Sequence, residues 1–310
     1  MHSPIPYTSP LLSERELQVQ ILQALSNNFT GQIQVTFLFG KAETILAIQG
    51  QVRQVYIRNH RAPDQAWEKP IEQYGAGTLM VEAIPARALM FRKILLEEIV
   101  PPKPLGASNR QLLTMFDVGR TNPGPTLFHI EWAHAEAFVH VPGGHIGGQR
   151  AVLIRPFETE EWNTIVEHIS GWHEQQCSVT ILRGDIKNQA WLELHMNTLL
   201  EWYCLNMLKY YQQLTGAVMV RSILQGLSVL TESYGWGIST HNQQLRFTSI
   251  FSSASETART YREILSAITA RIEPIIGSSL TRYIIKQSSE PATGVYKTIQ
   301  ETFGLMEDRP

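Results

Sequence analysis

Four histidines and two glutamates crowd one short stretch: His129, Glu131, His134, Glu136, His140 and His145. Imidazole and carboxylate together are ordinary ligand chemistry for zinc or iron. If Ala133-His134 makes a hairpin turn, then His129, Glu131, Glu136 and His140 project from one face of two adjacent strands, as four ligands of one metal must. The glycine-rich run Pro142–Arg150 that follows could cradle a phosphate with its backbone amides, but it matches neither a P-loop nor a G-x-G-x-x-G turn. Cys177 has His168 and His173 nearby in sequence, five residues apart, a spacing that does not share one helix face. No G-x-S-x-G elbow is present. A second group is aromatic. Trp202-Tyr203 and Tyr210-Tyr211 fall on one helical segment, and adjacent helix positions point about 100° apart. Both members of a pair cannot face a single core, so this region is expected to carry an exposed aromatic surface of the kind that binds proteins.

The elements that would position these residues are organised by a repeat. Gly31–Arg58 returns as Gly124–Arg155: at a shift of 93, Gly31 falls on Gly124, Ala42-Glu43 on Ala135-Glu136 and Gly50 on Gly143. Val35, Phe37 and Phe39 fall on Phe128, Ile130 and Trp132. Such a period is too long for a solenoid and indicates two tandem copies of one small domain. In the first copy, Ile33, Val35, Phe37 and Phe39 alternate with mostly polar residues, the period of a half-buried strand. Turns at Gly40-Lys41 and Gly50-Gln51 then give a three-stranded antiparallel meander. Helices are expected over 14–26, opened by the capping box Ser13/Glu16, and over 87–99. On the repeat, His129 matches Thr36 and Glu131 matches Leu38, on the face away from the core, where polar side chains need no ligand to explain them.

Residues 1–12 read as a flexible lead-in, 13–99 as the first α+β domain and 100–109, with three prolines, as a linker. Residues 110–214 form the second domain and 215–310 a mostly helical C-terminal domain with a small hairpin. Its long helix, Glu256–Ile272, is expected to stop before Pro274. The fold class is α+β: two tandem antiparallel-meander domains flanked by helices, plus the helical C-terminal domain. The chain has 310 residues and a net charge of −2, with no basic stripe for nucleic acid. It has no apolar stretch of about 20 residues for a membrane, and its first residues, with no charged run followed by an apolar one, are not expected to act as a secretory leader. Two cysteines without metal or disulfide spacing fit a reducing cytoplasm.

The meander signature, on Gly31, Phe37, Gly40, Gly50 and Val52, with Trp132, Gly143 and Ile146 in the second copy, resembles the PATAN group of bacterial domains, found at the N-terminus of PatA-like response regulators. The resemblance implies a non-catalytic protein–protein interaction module of bacterial signalling, connected with motility and type IV pili, and carries over no catalytic residues. This chain departs from the common layout in having no receiver domain. The reading is therefore a cytoplasmic, non-enzymatic, self-associating scaffold without a cofactor, binding a signalling or motility protein through Trp202, Tyr203, Tyr210 and Tyr211. The alternative is a small-ligand or metal sensor using His129, Glu131, Glu136 and His140.

Overall fold

The computed structural model describes residues 7–38, 40–58, 60–98, 102–121, 124–143, 150–155, 158–171, 176–184, 186–233, 238–241, 244–247, 251, 253–290 and 294–305. Phe39, His145, Ile146, Trp172, His173 and most of the glycine-rich run lie outside them.

The chain begins with β1 (Tyr7–Thr8) and α1 (Glu14–Ser26). The capping box forms: the Ser13 backbone N–H donates to Glu16 Oε2 at 2.8 Å. The meander follows as β2 (Gly31–Phe37), β3 (Ala42–Ile48) and β4 (Gln51–Ile57), with β5 (His60–Ala62) added at its edge. Gln49 and Gly50 carry φ of 52° and 75° in the β3–β4 turn, the left-handed pair a two-residue hairpin requires. A 3-10 turn leads into α2 (Glu68–Tyr74), then β6 (Gly77–Ala83) and α3 (Ala86–Glu97).

The same path is traced again by β7 (Leu105–Ser108), α4 (Asn109–Thr121), β8 (Thr126–Glu131), β9 (Glu136–Val141), β10 (Arg150–Arg155), α5 (Trp162–Gly171), β11 (Gln176–Arg183) and α6 (Gln189–Thr215). The sheet orders correspond: β1-β6-β2-β3-β4-β5 in the first, and β7-β11-β8-β9-β10 in the second. Tyr7–Thr8 thus lies within the segment expected as a lead-in yet pairs with β6, and Leu105–Ser108 lies within the expected linker yet pairs with β11.

The constant shift of 93 breaks at the hairpin. Thr36 and Ala42 close the first around residues 37–41, whereas Glu131 and Glu136 close the second around residues 132–135. One residue fewer turns every side chain of the following strand to the other face. Glu43, paired with Val35, therefore shares the face that packs on α1 and α2, while Glu136 lies on the opposite face of its own sheet.

Both faces of each sheet are covered, not one. The first sheet buries Ile33, Val35, Ile45 and Leu79 against Leu17, Ile21 and Ile71 of α1 and α2. The second buries Phe128, Ile130, Ala137 and Val139 against Leu112, Phe116, Ile165 and Ile169 of α4 and α5. Between the sheets lie α3 and the first turns of α6. Leu46, Ile48 and Tyr56 from one side, and Leu127, Phe138, Val152 and Leu182 from the other, share a core with Phe91, Ile94, Trp191 and Leu194. Full burial of one such side chain stabilises by about 1.5–3 kcal/mol, so this shared core binds the two sheets firmly.

From Met196 onward α6 enters a further core with α7 (Ala217–Ser233), α8 (Ala254–Ile276), α9 (Ser278–Ser289) and α10 (Val295–Phe303). A small hairpin, β12 (Ile238–His241) and β13 (Gln244–Phe247), precedes α8. Helix α8 runs through Pro274 to Ile276 before Gly277 takes φ 83° and ends it. The expected stop fails because a proline in the last turn removes only one backbone bond. The chain is α+β, with two antiparallel sheets and a mostly helical C-terminal region.

Candidate functional site

The histidine–glutamate face of β8 and β9 is turned toward α3 and is buried, contrary to the expectation that it faces away from the core. His129 is 8% exposed, Glu136 1% and His140 0%. The reason is tertiary: α3 lies across this face and delivers Arg92 to it.

Glu136 accepts from Arg92 Nη2 and Arg155 Nη2 at 2.5 Å each, and from His129 Nε2 at 2.9 Å. Burial raises its pKa, but the His129 hydrogen bond, the Arg92 charge and the Arg155 hydrogen bond outweigh burial and hold it at about 2. Glu82 stands behind, 3.6 Å from Arg92 and 3.9 Å from Arg155. His129 stacks on Phe138 at 4.6 Å between ring centroids.

The four residues of the metal reading are therefore not one ligand set. Glu131 is exposed, Glu136 is saturated by two guanidinium groups, and His140 packs among Phe91, Trp191 and His195. No cluster of three or more His, Cys, Asp or Glu side chains able to hold a metal occurs among the described residues.

Two further ionic clusters sit along α3. In one, Arg61 spans Glu97 and Glu193, Lys93 pairs with Glu193, and Tyr56 Oη donates to Glu97 at 2.7 Å. Lys93 is 2% exposed and also donates to the Phe251 carbonyl at 3.1 Å; burial lowers its pKa, while Glu193 opposes that. Glu97 Oε2 accepts from the Ala190 N–H at 3.1 Å, so the same carboxylate meets the N-terminus of α6, where Asn188 caps the helix. In the other cluster, Glu201 joins Arg87 and Arg150 at 2.7 Å each, and Arg87 reaches Glu160 at 3.5 Å. Among the described residues, each cluster sets two cations against two carboxylates, which is how buried charge is tolerated.

The four aromatic residues expected at the surface need correction as well. Trp202 is 8% exposed, Tyr203 1% and Tyr211 0%, all inside the helical core, and Tyr210 packs against it half-buried. Tyr203 Oη donates to Gln300 of α10 at 2.6 Å. The reasoning from adjacent helix positions fails because α6 is covered on all sides through Cys204, by sheet and α3 early and then by the helical core; further on, Leu205, Lys209, Gln212 and Gln213 take the exposed face while Tyr211 turns inward.

Cys177 donates its thiol to the Ala107 carbonyl at 3.2 Å, and burial pushes it up to about 11, so it stays protonated near neutrality. Arg87, Arg92, Lys93, Glu193, His195 and Glu201 were not singled out from the sequence. The one available signal was four charged side chains, Arg87, Arg92, Lys93 and Glu97, on a helix otherwise apolar enough to be central.

No helix among the described residues is long and apolar enough to cross a membrane. No protein-family model matches the chain, and no curated protein matches it in sequence.

Proposed function

We propose that the chain is a non-enzymatic, cytoplasmic scaffold of bacterial signalling, built on two PATAN-like units, which binds a protein partner and itself. The observation that carries this reading is a pair of exposed valines on α7, with an exposed leucine near the end of α6. Leu214 is 54% exposed, and Val218 and Val229 are each 69% exposed. Val218 and Val229 are separated by eleven residues, about three turns, and so lie on one face of α7. Ser222 and Gln225 are exposed between them on that same face, and Arg221 is exposed beside it. Partner contact at this mixed face would release water from the valines, with the polar side chains among them setting register. This replaces Trp202, Tyr203, Tyr210 and Tyr211 as the surface of the scaffold.

The absence of a catalytic role in this reading is supported by how the ionisable side chains are used. Glu136, Glu193 and Glu201 each hold two cations, and the clusters bind helices to sheets. Cys177 and Cys204 are free and buried, which agrees with a reducing compartment.

The test is light scattering coupled to size exclusion over a wide concentration range, on the wild type and on Val218→Asp/Val229→Asp. A mass that rises with concentration in the wild type and falls to the monomer in the variant is the expected result. A wild-type mass fixed at the monomer, or an assembly indifferent to the two aspartates, would defeat the self-association part and this surface with it.

A further inference from the structure

Where β9, α6 and α10 meet, three rings lie together that the ionic clusters do not use: His140, Trp191 and His195. Their centroids are 6.4 Å apart for His140–His195, 6.3 Å for His140–Trp191 and 5.6 Å for Trp191–His195. All three side chains are fully buried, at 0% exposure. Neither nitrogen of either imidazole, nor the Trp191 indole N–H, meets a hydrogen-bond partner among the described residues. Around them stand Phe91, 6.2 Å from His140, and Tyr296, 5.6 Å from His195. Tyr296 is no partner for them, since its hydroxyl donates to the Pro142 carbonyl at 3.1 Å. On the His195 side the backbone passes close to the rings at Gly184: a Cβ there would lie 2.5 Å from Pro125 Cγ, 3.1 Å from His195 Nε2 and 3.2 Å from Trp191 Cε3, so only glycine fits.

A buried polar group with no partner costs about 1–3 kcal/mol, and folded proteins pair nearly all of them. Five such nitrogens at one junction therefore ask for a partner that the described residues do not supply. Two neutral imidazoles offer two donors and two acceptors, and the indole adds one donor. A cation could satisfy only the acceptors and an anion only the donors; water donates and accepts together. The surroundings favour neutral rings. Burial first, then the guanidinium of Arg150, the His195 ring and Arg87, keep His140 well below the ordinary histidine range, and burial alone takes His195 to about 3. Histidines that ligate metals usually have their second nitrogen fixed by a hydrogen bond, and neither of these does.

We propose that His140, Trp191 and His195 form an internal hydration site holding about two waters, each making about three hydrogen bonds, which joins the second sheet to α6. The joint is mixed: α10 is held directly through Tyr296 and Gln300, and the rings behind it are satisfied through solvent. The proposal is independent of the scaffold reading.

A crystal structure of the full chain at a resolution that shows ordered water, with data collected across the zinc and copper absorption edges, tests it. Solvent peaks about 2.7–3.2 Å from the ring nitrogens, without anomalous signal, are expected. An anomalous peak between the imidazoles, or rings in dry contact with no solvent peak, would overturn it. In solution, the Trp191 indole proton should show a cross-peak to long-lived water, assigned with Trp191→Phe. His140→Leu/His195→Leu should abolish that cross-peak and leave those of the other indoles unchanged. A cross-peak that survives in a folded double variant would refute the site, and if the variant fails to fold, the wild-type readings decide.

Discussion

Replacing Glu136 by Gln keeps the shape of the side chain and removes one buried negative charge from between Arg92, Arg155 and His129. Its carboxylate titrates at about 2 in the fold, against 4.5 for an ordinary glutamate. Each pKa unit is worth about 1.4 kcal/mol, so the ionised carboxylate contributes about 3 kcal/mol. That agrees with the ~3–5 kcal/mol lost when one partner is stripped from a buried ion pair. The remaining guanidinium groups keep Glu82, at 3.6 and 3.9 Å, which softens the loss without repairing it. The pH dependence has a definite sign. The unfolded chain takes up the proton below 4.5 and the folded chain only near 2, so the contribution is complete above 4.5 and disappears as pH falls toward 2. Urea denaturation of wild type and Glu136→Gln from pH 7 to pH 2.5 measures both effects. Glu136→Gln should be less stable by about 3 kcal/mol at pH 7, and the two stabilities should converge on acidification. A loss below about 1 kcal/mol at pH 7, with parallel pH profiles, would refute the reasoning: the attraction would then only offset desolvation.

Glu43 is the opposite case. It is 1% exposed, neither oxygen has a partner, and burial raises it to about 8. The folded chain therefore holds a proton that the unfolded chain releases above 4.5, and stability falls as pH rises from 4.5 to 8. Glu43→Gln should flatten that decline and be the more stable protein at pH 9, by at most about 5 kcal/mol in chemical denaturation; equal slopes would show that Glu43 finds a partner in solution. Trp202→Ala should cost about 3–5 kcal/mol in thermal or urea unfolding, as a core truncation does. Tyr211→Phe should be close to neutral, because the Tyr211 hydroxyl has no hydrogen-bond partner. A Tyr211→Phe loss above about 2 kcal/mol would place an unseen partner on that hydroxyl.

Much of the architecture was legible in the sequence because it depends on short-range physics. The capping box of Ser13 and Glu16 set the start of α1, alternation marked β2, and the glycine at position 50 marked the β3–β4 turn. The doubled path was visible through its glycines and apolar positions, although the shift of 93 slipped where one hairpin loop is a residue shorter. The repeat could not assign faces beyond that point, since a single-residue change in a loop turns a whole strand over without altering its composition; the Ala133-His134 turn could. The edge strands Tyr7–Thr8 and Leu105–Ser108 were hidden for a related reason: two to four residues carry no period, and only their pairing with β6 and β11 makes them strands.

What the site does was decided by tertiary structure alone. The chain states that His129, Glu136 and His140 share a sheet face; it does not state that α3, some forty residues earlier, covers that face and brings Arg92 to Glu136. It places Trp202, Tyr203 and Tyr211 on one helix, but not the second core that surrounds them. Helix and strand follow from neighbours along the chain, whereas charge, burial and exposure follow from neighbours in space, and those are chosen only when sheets and helices pack.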